Sequence, residues 1–152
     1  MTGAASTSSS FLRTKGMAQA LWDLKSIQSA LTSGLEVALS EVGFTADQFQ
    51  VLFSISKLGS PTMGEILGDV NMANASLSRI VDSLEDRALA FRLPNPSDRR
   101  RITVNLSDMG VAKLDQVLSS LSAWASASDG VIDVEMAEKL RALAQKIGKS
   151  DL

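Results

Sequence analysis

Apolar residues in this chain recur every three or four positions from Met17 onward, and the rhythm breaks once, between Phe91 and Leu106, where it turns into strict alternation. A period near 3.6 puts apolar side chains on one face of a helix, and a period of 2 puts them on one face of a strand. The chain is therefore expected to be mainly α-helical with a single β-hairpin. With 152 residues, one compact domain is the expectation, preceded by a disordered lead-in over residues 1–12.

The first helical stripe is Met17, Leu21, Leu24, Ile27, Leu31, Leu35, Leu39 and Val42, and Gly43 ends it. Unbroken, this stretch is about 39 Å long at ~1.5 Å per residue, more than a small domain's interior covers, so part of the stripe is expected to pack on a second chain. Gly34 is its weak point, since glycine in a helix interior costs about 1 kcal/mol relative to alanine. Thr45-Ala46-Asp47-Gln48 forms a capping box and opens a second helix, with Phe49, Leu52, Phe53, Ile55 and Leu58 as its expected buried face, stopped by Gly59-Ser60-Pro61. Thr62-Met63-Gly64-Glu65 is a second capping box and starts a short helix that ends at Val70-Asn71.

The next helix carries Leu77, Ile80, Val81 and Leu84 on one side and a small, polar face on the other: Asn74, Ser76, Ser78, Arg79, Asp82 and Ser83. Such side chains hydrogen-bond to base edges or phosphates without obstructing close approach, although on an isolated helix a solvated face is the simpler alternative. Phe91 and Leu93, then Ile102, Val104 and Leu106, form two strands around PNPSDRRR. Arg99, Arg100 and Arg101 at its tip repel one another and follow a small-polar helix, which favours an anionic partner over an ordinary solubilising loop. Ser107-Asp108 caps a helix with Val111, Leu114, Val117, Leu118, Leu121 and Trp124, and after a Ser/Ala/Asp/Gly loop a last helix carries Val134, Leu140, Leu143 and Ile147.

Charge and composition narrow the function. Net charge is −2, yet residues 57–105 hold seven cations against six anions, and four arginines crowd into Arg92–Arg101 against the single Asp98. A local basic finger on an acidic body is the result. The absence of His, Cys and Tyr removes disulfides, thiolate chemistry, imidazole- or sulfur-bound metals and every Ser-His or Cys-His nucleophile. No cofactor is expected. Asp82, Glu85 and Asp86 are the one acidic cluster an enzyme reading has to work with, and at helical spacing they are more simply solvated acids. The small, polar opening MTGAASTSSS does not read as a secretion signal and no apolar run reaches the ~18 residues of a membrane span, so a cytoplasmic protein with no membrane partner is expected.

Helix, short helix, polar-faced helix and basic hairpin, in that order, describe a winged helix-turn-helix. Over about residues 15–148 the sequence resembles the multiple-antibiotic-resistance regulator (MarR) family of bacterial transcription factors. The resemblance rests on TADQFQVLFSI, SLSRIVDSLEDRALAFRL and PNPSDRRRITVNLSDMG, the last meeting the family's wing signature through Asp98, Arg100, Val104, Leu106-Ser107 and Gly110. It implies a homodimer on a near-palindromic double-stranded operator, with residues 45–107 as the DNA-binding part of a domain spanning 13–152, and 13–43 and 108–149 as flanking dimerisation helices.

It further implies that Arg79 contacts bases or phosphates in the major groove and Arg100 enters the minor groove, with Asn74, Ser76, Ser78, Ser83, Arg99 and Arg101 alongside. Three positions depart from the family pattern. Ser83 stands where many relatives have Arg, Ala73 where some have an acid that pairs with the wing, and Ala88 where Gly is usual, so a left-handed C-cap at Ala88 would be strained. The thiol and zinc sensing of some relatives needs Cys or His, which leaves a small organic effector, often an aromatic acid in relatives, or none. Trp22, Phe49, Phe53 and Trp124 are the candidate effector pocket, with plain core or dimer interface as the alternative. The expected function is a repressor released by such an effector; a winged helix used only for protein contacts is the alternative.

Overall fold

The structure is a computed structural model that describes residues 4–70, 72–127 and 133–148, without the side chains of 4–12, 134, 147 and 148. Along the chain run α1 (Ala4–Val42), α2 (Ala46–Leu58), α3 (Met63–Asp69), α4 (Asn74–Asp86), β1 (Ala90–Pro94), β2 (Ile102–Leu106), α5 (Asp108–Ala127) and α6 (Val134–Gly148). The mainly α architecture with one hairpin is as the periodicity required. Helix α1 begins at Ala4. By its internal contacts the chain divides into two compact units, residues 1–37 and 38–152.

In the first unit, every residue from Arg13 to Ala30 is exposed, including Met17, Leu21, Trp22, Leu24 and Ile27 of the apolar stripe. The second unit has the core. Ala38, Leu39 and Val42 at the end of α1 are buried, together with Val51, Leu52 and Ile55 of α2, Ile66 of α3, Leu77, Val81 and Leu84 of α4, Val104 of β2, and Leu114 and Val117 of α5. The buried face of α2 is rotated from the expected one: Val51 and Ser54 are inside, while Phe53 and Leu58 are 45% and 42% exposed. Periodicity identifies a stripe but not which edge of it the neighbouring helices cover. The same applies to Val111 and Leu118 of α5, both exposed, and to Leu143 of α6. Val134 and Ile147, assigned to the last stripe, have side chains outside the described set, and the turn at Asn71 and the loop before α6 fall in residues the structure does not describe.

Both capping boxes form. Thr45 accepts from the Gln48 amide while Gln48 accepts from the Thr45 amide, and Thr62 and Glu65 make the same reciprocal pair. Helices α1 and α4 end in the same C-cap, with the amide two residues past the cap bonding back five residues, Phe44 to Leu39 and Leu89 to Leu84. The residue between must adopt positive φ. Gly43 does so at 67°, whereas Ala88 does so at 55° with a Cβ, the strain expected from the sequence. Ala88→Gly should therefore raise stability by about 1 kcal/mol, read as a higher denaturant midpoint at unchanged slope.

Strands β1 and β2 pair antiparallel, with Phe91 opposite Asn105 and Leu93 opposite Thr103. Neither edge of the hairpin is left open along its middle. On the β2 side Val104 donates to the Pro61 carbonyl at 2.7 Å; on the β1 side the Arg92 amide donates to the Glu85 carboxylate at 2.9 Å, and Pro94 has no N–H to offer.

Candidate nucleic-acid interface

Helix α4 presents two opposed faces. Leu77, Val81 and Leu84 face the core with Ile80 half-buried at its margin, which leaves Asn74, Ser76 and Arg79 exposed and Ser78 half-buried. Ala73 at its N-cap makes no side-chain hydrogen bond, so the amides of the first turn lack the usual side-chain acceptor. Ser83, grouped with this face on sequence grounds, is half-buried and its hydroxyl accepts from Gln48 Nε2 at 3.4 Å. Gln48 Oε1 in turn accepts from Arg87 at 3.4 Å, and the Arg87 guanidinium lies 4.7 Å from the Phe44 ring centroid. Ser83 thus joins α4 to the N-terminus of α2, a contact that sequence spacing on one helix does not reveal.

The wing tip is a built turn. Asn95 Oδ1 accepts from the amides of Ser97 and Asp98 at 2.8 and 3.3 Å, the Asp98 carboxylate accepts from the Arg100 amide at 3.1 Å, and the Arg101 amide closes the turn on the Asp98 carbonyl at 2.9 Å. The arginines of the wing and of α4 separate into two kinds. Arg92 is paired with both Asp82, at 2.9 Å, and Glu85, and Arg101 reaches Glu65 of α3 at 3.3 Å. Among the described residues, Arg99, Arg100 and Arg79 have no such partner and are exposed. Arg101, expected beside them at the interface, is directed instead toward the α3 cap, where an exposed pair leaves its charge only weakly committed.

That cap carries a titratable group. Hydrogen bonds from the Thr62 amide and hydroxyl, reinforced by Arg101, hold the Glu65 carboxyl below the ordinary value of 4.5. Its stabilising effect is complete above the ordinary value and is lost as pH falls through the lowered folded value. Glu65→Gln should flatten this part of the acid limb of stability below pH 4.5, measured by denaturation at a series of pH values. Asp69 is lowered as well, chiefly by Lys57, whose ammonium ties α2 to α3.

Of the aromatic candidates, Phe49 and Phe53 stack with centroids 5.9 Å apart on α2, and Trp124 is half-buried on α5. Trp22 belongs to the first unit, 64% exposed, with the Lys25 ammonium 5.3 Å from its ring centroid. Among the described residues no group of three or more acidic side chains is arranged to hold a metal ion, and no described helix is long and apolar enough to cross a membrane.

A helix-turn-helix whose last helix is small and polar outside, followed by a pinned hairpin with unpaired arginines at its tip, defines the class: a winged helix-turn-helix protein. The MarR family model matches residues 44–102, which contain α2 to the start of β2. The multiple antibiotic resistance protein MarR of Salmonella typhimurium is 37% identical over 78 residues, covering 51% of this chain and 54% of that protein, so the match spans about half of that relative's length. A solved structure of a MarR mutant from Escherichia coli complexed with operator DNA is similar at a TM-score of 0.64, with 25% identity over 82% of this chain and 89% of that one. CouR from Rhodococcus jostii, solved with p-coumaroyl-CoA, shares the fold at a TM-score of 0.72 and 19% identity over 85% of this chain and 91% of its own. Residues 44–102 thus carry a MarR-type domain.

Proposed function

We propose that the protein is a sequence-specific double-stranded DNA-binding repressor that acts as a homodimer. The observation that carries this reading is the sorting of the cations: among the described residues, Arg79 on α4 and Arg99 and Arg100 on the wing have no acidic partner, while the neighbouring Arg92 is paired with Asp82 and Glu85 and Arg101 reaches Glu65. A guanidinium with no internal partner on a surface rich in small hydroxyl and amide groups suits bidentate base contact or insertion into a narrow minor groove. In this reading Arg79, with Asn74, Ser76 and Ser78, meets the major groove, and Arg100, flanked by Arg99, reaches the minor groove.

A second copy is the occupant proposed for the exposed apolar residues of α1 (Met17, Leu21, Trp22, Leu24 and Ile27) and of α6 (Met136 and Leu143), since burying such side chains stabilises association by about 25 cal/mol per Å² of apolar area. The proposed effector is a small organic, aromatic compound meeting Phe49, Phe53 and Trp124. It releases DNA by favouring a dimer whose recognition helices are spaced wrongly for two half-sites.

Binding to duplex fragments recovered by genome-wide pull-down tests the central claim. Log K should fall linearly with log salt at about −0.9 per neutralised phosphate. Arg79→Ala should relax sequence preference by roughly 1–3 kcal/mol. A protein that retards no duplex at low salt would be a winged helix used for other contacts.

A further inference from the structure

We infer that Arg92 is a positioning residue, and that its clamp on Asp82 and Glu85 sets the angle between the recognition helix and the wing; the inference rests on the DNA-binding reading above. Three contacts make the clamp. The Arg92 guanidinium pairs with Asp82 and with Glu85, one turn apart on α4, and the Arg92 backbone amide donates to the other Glu85 oxygen. One carboxylate thus grips both the side chain and the backbone of β1. The Glu85 and Arg92 side chains are 28% and 30% exposed, so this contact is shielded from solvent far more than the Arg101–Glu65 pair, at 53% and 54%. Both carboxylates meet the same guanidinium nitrogen, Nη1, whose direction is fixed by the rigid plane of the group, whereas a lysine ammonium on a flexible stem has no such fixed direction.

The placement gives the clamp its consequence. Arg79 lies one helical turn before Asp82 on α4, and Arg100 lies at the far end of the hairpin that Arg92 anchors, so the unpaired cations sit on two elements joined rigidly at their base. Without the clamp, the β1 edge loses its tie to α4 while β2 stays held at Pro61, and DNA binding has to order that edge of the wing as well as contact the duplex.

The decisive variant removes the acids. Asp82→Asn/Glu85→Gln deletes two negative charges beside the DNA-binding face, which by charge alone strengthens attraction to phosphates. The positioning role predicts the opposite, about tenfold weaker binding to the recovered operator, because ordering one rotamer-rich side chain and a loop costs about that much affinity. Tighter or unchanged binding overturns the inference.

Arg92→Met and Arg92→Lys provide a second measurement, with folding checked by circular dichroism. Lys should bind between wild type and Met, and in the Met background the effects of Arg79→Ala and Arg100→Ala should become additive where in wild type they are coupled. Equal affinity in wild type, Lys and Met also overturns it. Should the double acid variant not fold, the Arg92 series decides alone. Failure of wild type itself to bind duplex refutes the DNA-binding reading and this inference with it, whereas wild-type binding with an indifferent clamp refutes the inference alone.

Discussion

Gly110→Ala should destabilise the protein by about 3 kcal/mol or more, the largest single-residue effect expected outside the apolar core. A Cβ built on Gly110 would stand 2.0 Å from the Leu89 carbonyl oxygen and 3.0 Å from its carbon, and both are backbone atoms that cannot swing aside as a side chain would. Nor is Leu89 able to retreat. Its carbonyl accepts from the Ser107 amide at 3.0 Å and its own amide closes the α4 cap on Leu84 at 2.8 Å. Ser107 locks the junction from the other side, donating its hydroxyl to the Ala88 carbonyl at 2.6 Å and accepting from the Gly110 amide at 2.9 Å.

Helix α4, the wing and α5 therefore meet where a methyl group has no room. The matching control is Gly64→Ala in α3, where a Cβ meets nothing within 4 Å and helix propensity alone predicts a gain of up to about 1 kcal/mol. Urea titration of the two variants reads both signs, and a Gly110→Ala protein as stable as wild type would show that this junction is looser than described.

Arg100→Ala should weaken operator binding by about 1–3 kcal/mol per half-site, hence by roughly thirtyfold to ten-thousandfold for a dimer engaging two, while leaving folding and dimerisation unchanged. Folding is spared because the Arg100 side chain is exposed and has no partner among the described residues; only its amide takes part in the turn, and alanine keeps that amide. Binding is expected to suffer because the turn built by Asn95 and Asp98 holds the wing tip in shape before DNA arrives, so little ordering offsets the contact. Fluorescence anisotropy across a salt series reads the loss, and the salt slope should become shallower by about 0.9 for each phosphate contact removed. Wild-type affinity in the variant would remove the wing from the proposed interface.

Much of this was legible in the residues themselves. The capping boxes at Thr45 and Thr62, the C-cap at Gly43, the hairpin around PNPSDRRR and the left-handed strain at Ala88 are local, since each is decided by side chains within three or four positions of the backbone they serve. The glycine in the wing signature was visible as well, but its reason was not, because Leu89 lies 21 positions away and only folding brings its carbonyl under Gly110.

Charge marks the same boundary. Sequence showed four arginines in ten residues; tertiary structure decided that Arg92 pairs with Asp82 and Glu85, that Arg101 reaches Glu65, that Ser83 answers to Gln48, and that Arg79, Arg99 and Arg100 have no acidic partner among the described residues. Propensity and capping act over one turn of backbone, whereas an ion pair forms between whichever opposite charges the packed core brings within about 4 Å, and no local rule specifies that distance.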